Sequence, residues 1–167
     1  MTFTVDQLNR ILGFSMSDEQ LAAVTADLDI PLLVVAGAGS GKTTVMAARV
    51  LWAVGTQQCA PDEIVGLTFT KKAAGELGSR IRQLLEKLFD DYPPVGFDGE
   101  PGSPLVSTYH AFAHQFVAEH GLRIGVEPGA RLLSETESLQ EAYRVVVNTE
   151  YPLTGVGLAP VKLAEVV

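Results

Sequence analysis

Pro31-Leu32-Leu33-Val34-Val35-Ala36-Gly37-Ala38-Gly39-Ser40-Gly41-Lys42-Thr43-Thr44 is the stretch whose reading decides the fold. The apolar run Pro31 to Val35 reads as a buried β-strand, the glycines as a tight loop, and Lys42 onward as the start of a helix. Closely spaced glycines let a backbone curl into a nest of inward-pointing N–H groups, and the positive end of the following helix dipole adds to its pull on anions. The pattern is that of a triphosphate-binding loop, with Ala36 where the first glycine of G-x-x-x-x-G-K-[ST] is expected. In that chemistry Lys42 is the catalytic cation that reaches the β- and γ-phosphates, and the Thr43 hydroxyl sits on Mg²⁺. Ala38, Gly39, Ser40 and Gly41 cradle the phosphates through their backbone, and Thr44 is a further contact.

The composition bounds the rest. A chain of 167 residues, 47% of them hydrophobic, is long enough to bury a core. Mean hydropathy is +0.21, yet no run of about 18 apolar residues occurs and the N-terminus is polar, so the reading is no membrane partner and a cytoplasmic place. One cysteine, Cys59, makes no internal disulfide, and the three histidines offer no zinc spacing. The net charge of −8 disfavours a broad nucleic-acid footprint, but it is unevenly spread. Residues 64–88 hold Lys71, Lys72, Arg80, Arg82 and Lys87 against Glu76 and Glu86, a net of +3 that leaves −11 for the remainder.

Outward from the loop, the sequence predicts alternating helices and strands. Toward the N-terminus, Ser17-Asp18-Glu19-Gln20 opens a helix through Val24, with Ser17 as N-cap and Gln20 closing a capping box. A glutamine there also suits a nucleobase edge, since its amide donates and accepts together; spacing alone favours the cap. Val5, Leu8, Ile11 and Leu12 make a short amphipathic turn or two. After the loop, Gly41 to Val54 is helical, with Val45, Ala48, Leu51 and Trp52 on one face. Glu63 to Phe69 is a second strand, so strand, helix, strand predicts a right-handed parallel crossover and an α/β fold with its ligand at the strands' carboxyl ends.

Thr70 is the N-cap of the clearest amphipathic helix, apolar at Ala73, Ala74, Leu77, Ile81, Leu84, Leu85 and Leu88. Its basic face reads first as an ordinary solvated surface, and Phe69 first as core. Residues 90–104 carry four prolines, three glycines and four acids with no base, an irregular loop. Leu105 to Thr108 is a third strand, followed by a helix from Tyr109 to His120 ended by Gly121, with Ala111, Phe112 and Phe116 facing inward. His110 and His114, one turn apart, lack a third metal ligand and read as packing or polar-contact residues. Arg131 to Leu133 is a short extended piece. Ser134 caps a last helix through Leu139, Ala142, Tyr143 and Val146, although Val145-Val146-Val147 leaves a strand open. The apolar tail from Val161 carries no closing signal and looks cut off.

Four motifs in this order resemble the N-terminal part of superfamily 1 DNA helicases of the UvrD/Rep/PcrA type. Ser17 to Gln20 looks like the Q motif, Ala36 to Thr44 like motif I with its usual alanine, Leu67 to Ala74 like motif Ia, and Thr108 to Phe112 like motif Ib. The resemblance implies a RecA-like P-loop NTPase lobe, a parallel sheet flanked by helices, left incomplete here and occupying residues 1–120. It implies that 121–167 begin an inserted helical subdomain. It implies ATP and Mg²⁺ as cofactors, Gln20 on the adenine, Phe69 stacked on a base of single-stranded DNA, and Thr70, Lys71, Tyr109 and His110 along the strand's path. Lys71 stands where the family commonly has Asn. Arg80 matches an Arg frequent at the end of motif Ia, with a structural or phosphate role. Thr70 to Leu77 also resembles motors of the AdnB/RecB helicase-nuclease type, which implies a nuclease partner subunit.

Hydrolysis in such motors needs an Asp-Glu pair at the end of an apolar strand. The pairs Asp18-Glu19 and Asp62-Glu63 each lack the apolar run before them. The chain therefore reads as the front piece of a 3′-to-5′ ATP-dependent DNA helicase of repair or recombination, awaiting the rest of its chain. Two other readings remain: a nucleotide- or DNA-binding module without turnover, and a small P-loop kinase, for which motifs Ia and Ib would be coincidence.

Overall fold

The computed structural model describes residues 3–94, 102–127, 129, 131, 133–150, 159, 161 and 162. The chain divides into two compact units, Met1–Gln115 and Phe116–Val167.

The first unit begins with two short capped helices, α1 (Val5–Leu12) and α2 (Asp18–Thr25). Thr4 and Gln7 form a reciprocal capping box on α1, and Ser17 and Gln20 form the same box on α2. Helix α3 (Lys42–Gly55) follows the glycine loop, and its face Val45, Ala48 and Leu51 is buried as its spacing predicts. Strand β1 (Val65–Thr68) leads into α4 (Lys71–Asp91), with Thr70 accepting the Ala73 N–H as N-cap. Strand β2 (Leu105–Thr108) lies parallel to β1, paired Val65 with Leu105 through Thr68 with Thr108. Helix α5 (Tyr109–His120) begins directly after it.

One apolar core holds these elements together. Leu8 and Ile11 of α1, Val24 of α2, Leu51 and Val54 of α3, and Leu77, Ile81, Leu85 and Leu88 of α4 are all buried in it. Phe3 closes the lower end, its ring edged against Trp52 and Tyr92 with centroids 6.0 and 6.3 Å away. Gly55 is required here, because a Cβ on it would stand 2.6 Å from the Phe3 ring.

The predicted first strand does not form. Pro31 to Val35 makes no ladder, and Leu33 and Val35 are 85% and 87% exposed. Strand character in an apolar run is realised only when a neighbouring strand accepts its hydrogen bonds, and the only sheet among the described residues is the β1–β2 pair. The parallel crossover runs instead from β1 through α4 to β2.

In the second unit, Gly121–Ile124 is a 3-10 turn closed by Gly125 at φ 78°, so Gly125 rather than Gly121 supplies the left-handed stop. Helix α6 (Glu135–Asn148) contains Val145 to Val147, which removes the strand alternative. Helix α5 buries no residue along its length: Phe112 is half-buried, Ala111 is exposed and Phe116 is 56% exposed. Periodicity marks the face that could be covered, not whether an element covers it. Part of the predicted 90–104 loop, residues 95–101, lies outside the described residues, as do 163–167 of the apolar tail, and α4 runs on through Asp91.

Candidate nucleotide and nucleic-acid site

The loop from Ala36 to Gly41 owes its path to two glycines in the left-handed region, Gly39 at φ 78° and Gly41 at φ 83°. Residues with a Cβ reach that region only at a cost of roughly 1–2 kcal/mol. Gly41 is also the N-cap of α3 and offers no side-chain cap, so the first-turn N–H groups of a 14-residue helix face the loop. Ser40 closes the turn, its hydroxyl donating to the Gly37 carbonyl at 2.8 Å. Lys42 folds back over the loop, its ammonium donating to the carbonyls of Ala36 at 3.0 Å and Gly37 at 2.6 Å. The side chain thereby spans the loop from its helix end to its first residue. Ala38, Gly39 and Thr43 are exposed, and Thr44 is half-buried beside Gly41.

Gln20 joins the capping box to the loop. Its Oε1 accepts the Ser17 N–H at 3.2 Å while its Nε2 donates to the Ser40 carbonyl at 3.1 Å. A primary amide has two N–H groups and two acceptor lone pairs. One of each is therefore left over. The cap reading of Gln20 is realised, and its amide keeps hydrogen-bonding capacity beyond the cap. Glu19, whose carboxyl accepts from its own backbone N–H and from the Ser17 hydroxyl at 2.9 Å, is held below the usual carboxylate range.

Arg49, a residue that gave no signal in the sequence, stands at the other end of α2. From the middle of α3 its guanidinium donates to the carbonyls of Ala23 at 2.7 Å, Val24 at 3.5 Å, Ala26 at 2.9 Å and Asp27 at 3.1 Å. Partners more than twenty residues away leave no local pattern to read.

At the other motifs the sheet register does the positioning. Thr68 pairs with Thr108 at the carboxyl ends of β1 and β2, so the residues that follow, Phe69 and Tyr109, emerge side by side. Their ring centroids are 5.3 Å apart at an interplanar angle of 39°. Phe69 is 90% exposed and Tyr109 49% exposed, which corrects the first reading of Phe69 as core. His110 is exposed in the first turn of α5, where Thr108 caps the helix by accepting the Ala111 N–H at 3.2 Å. Lys71 and Lys72 occupy the first turn of α4, where the helix dipole disfavours cations, with no acid in that turn. The Lys72–Glu76 pair at 3.8 Å is too exposed to compensate.

The described residues thus present a glycine loop at the start of α3 and an exposed aromatic pair at the carboxyl ends of the parallel strands β1 and β2. Residues 16–161 match the family described as UvrD/REP helicase N-terminal domain. The chain belongs to that family. It is 33% identical to DNA helicase II of Escherichia coli over 132 residues, 79% of this chain and 16% of that protein. It is 32% identical to ATP-dependent DNA helicase PcrA of Staphylococcus epidermidis over 124 residues, 74% of this chain and 15% of the relative. It is also 35% identical to an ATP-dependent helicase/nuclease subunit of Pelotomaculum thermopropionicum over 127 residues, 72% of this chain and 10% of the relative. The chain thus spans less than a fifth of the length of these relatives. Within the family it is an α/β domain with a small parallel sheet, and no helix among the described residues is long and apolar enough to cross a membrane.

Proposed function

We propose that this chain is the ATP-holding part of an ATP-dependent DNA helicase that moves along single-stranded DNA. The observation that carries the DNA half is the exposed Phe69–Tyr109 pair, set side by side by the β1–β2 register. Aromatic shelves stack on unpaired bases without regard to sequence, which suits a translocating motor and requires no basic protein overall. Lys71 and Thr70 at the start of α4 and His110 at the start of α5 lie along the same strand-end edge and serve the phosphates and sugars of that strand. The unfavourable placement of Lys71 in its helix supports that role.

In the nucleotide half, the backbone of Ala38 to Gly41 and the first turn of α3 hold the phosphates, and Lys42 exchanges its two carbonyl contacts for the β- and γ-phosphates. Thr43 and Thr44 are in that first turn, with the Thr43 hydroxyl the ligand for Mg²⁺. The ion, when bound, draws charge from the transferring phosphoryl group. Gln20 reads the adenine. We read the first unit as part of a RecA-like lobe and residues 121–167 as the start of an inserted helical subdomain. Movement 3′ to 5′, a place in repair or recombination in the cytoplasm, dependence on the rest of a longer helicase chain, and a nuclease-bearing partner subunit complete the reading.

Turnover by this chain alone is not part of it. Glu63 sits in a 3-10 turn with its Oε2 accepting the Ala60 N–H at 2.8 Å, and Glu19 accepts the Ser17 hydroxyl in the α2 cap, local roles that support the reading that neither is the water-activating base. This favours, as the second reading, a fragment that binds nucleotide and single-stranded DNA without hydrolysis. Two measurements test the proposal. Anisotropy of labelled oligo-dT should show binding by the chain that Phe69→Ala weakens about tenfold, following the worth of one stacked base. Lys42→Ala in the complete protein should abolish DNA-stimulated ATP hydrolysis; survival of that activity would show the loop assignment to be wrong.

A further inference from the structure

The α2 helix is short, and its C-terminal end is unusual. It ends at Ala26 with no left-handed residue, no backbone N–H closing the last turn and no basic residue of its own in that turn. The last carbonyls of a helix need donors, and here they come from another helix. Arg49 of α3 spreads its fork over Ala23, Val24, Ala26 and Asp27. The guanidinium also sets a positive charge on the negative end of the α2 dipole. At its opposite end, α2 is tied to the phosphate loop through Gln20 and the Ser40 carbonyl. Between the two ties, Val24 is fully buried. Helix α2 is thus held at both ends by the loop and the helix that follows it.

We infer that Arg49 is a positioning residue for nucleotide recognition: it fixes α2 on α3 so that the free edge of the Gln20 amide stays at the height of the base above the phosphate loop. The Gln20 amide nitrogen is itself the Ser40 tie, so a swing of α2, a lever roughly 12 Å long for eight residues, would leave that nitrogen in place and turn the plane of the amide and its free edge. An edge-on pair of hydrogen bonds weakens steeply with such misalignment. Arginine suits the task because its planar fork reaches several carbonyls at once, which a lysine ammonium does not. The carbonyls that Arg49 bonds belong to α2 and the two residues after it, none to the phosphate loop, so its effect is expected on the base-dependent share of affinity alone.

The inference rests on the proposal that Gln20 reads adenine. The experiment is calorimetric titration of the full chain with MgATP and, separately, with inorganic tripolyphosphate, for wild type, Gln20→Ala, Arg49→Met and the double variant. Arg49→Met is expected to weaken ATP roughly tenfold, the loss of one edge-on base contact, while tripolyphosphate binds within twofold of wild type. The double variant is expected to bind ATP no more weakly than the weaker single variant, since both changes remove one interaction. Equal loss for both ligands, no loss for either, or losses that multiply in the double variant each overturn the inference. If Gln20→Ala lowers ATP binding selectively and Arg49→Met does not, the base reading stands and the role of Arg49 falls. If Gln20→Ala leaves both ligands unaffected, the base reading fails and this inference with it. Should Arg49→Met lose helical circular dichroism, Arg49→Lys keeps the charge, and the same selective weakening of ATP is expected of it.

Discussion

Gly41 carries three constraints at once. Its φ of 83° is left-handed, it is the N-cap of α3, and a Cβ on it would stand 3.3 Å from the Gln20 amide nitrogen. Gly41→Ala should therefore cost about 1–2 kcal/mol in urea unfolding and displace Gln20 from Ser40; an unchanged midpoint would refute the strained loop geometry. Cys59 gives a chemical check at the same scale. Burial first, and the Glu63 carboxylate second, push its thiol above the ordinary value. Fewer thiolates are then present at pH 8, so alkylation by iodoacetamide should be slower than for free cysteine and faster in Glu63→Gln. The residues legible in the sequence were those with local partners. Ser17 and Thr70 cap as their spacing predicts because a cap is completed within three residues. Arg49 and the Phe69–Tyr109 pair have partners 22–40 residues away and could not be read that way.

Among elements, α6 offers the clearest pH test. Ser134 and Glu137 form its capping box, and the Arg131 guanidinium donates to Glu137 at 2.7 Å. The Ser134 backbone N–H first, then Arg131 and the Ser134 hydroxyl, hold the Glu137 carboxyl below its ordinary value. A depressed carboxylate stabilises the helix above its unfolded pKa, about 4.3 for Glu, and that contribution is lost as pH falls through the folded value. Protection of the first-turn amides of α6, taken relative to their intrinsic exchange rates, should fall on acidification below about pH 4.3, and Glu137→Gln should flatten that dependence. An acid-insensitive first turn in the wild-type chain would contradict the capping geometry. Helices were well forecast at this scale, since α3, α4 and α6 begin within a residue of their predicted starts. The inward face assigned to α5 was not, because an apolar stripe is a property of one helix and burial a property of two.

At the scale of the whole molecule, the contrast between Pro31–Val35 and α3 is measurable. Leu51 is fully buried at the centre of the core, whereas Leu33 and Val35 stand in solvent. Leu51→Ala should cost about 2–5 kcal/mol; Leu33→Ser and Val35→Ser should each stay within about 0.5 kcal/mol of the parent in this chain. A large loss from either serine variant would mean that the run is covered after all.

The glycine loop, the caps, the helices and the order of the motifs were all written in the sequence, because each rests on contacts within one or two turns or on the special backbone freedom of glycine. The sheet was decided by tertiary structure. Hydrogen bonds between strands are made with distant segments, so the same apolar character gave a paired β1 and an unpaired Pro31–Val35. Tertiary structure also decided that Gln20 caps α2 while its amide reaches the Ser40 carbonyl, that Arg49 ends a helix not its own, and that Phe69 faces water beside Tyr109. Each depends on where a remote backbone group or ring comes to rest, and that is fixed by the packing of the core.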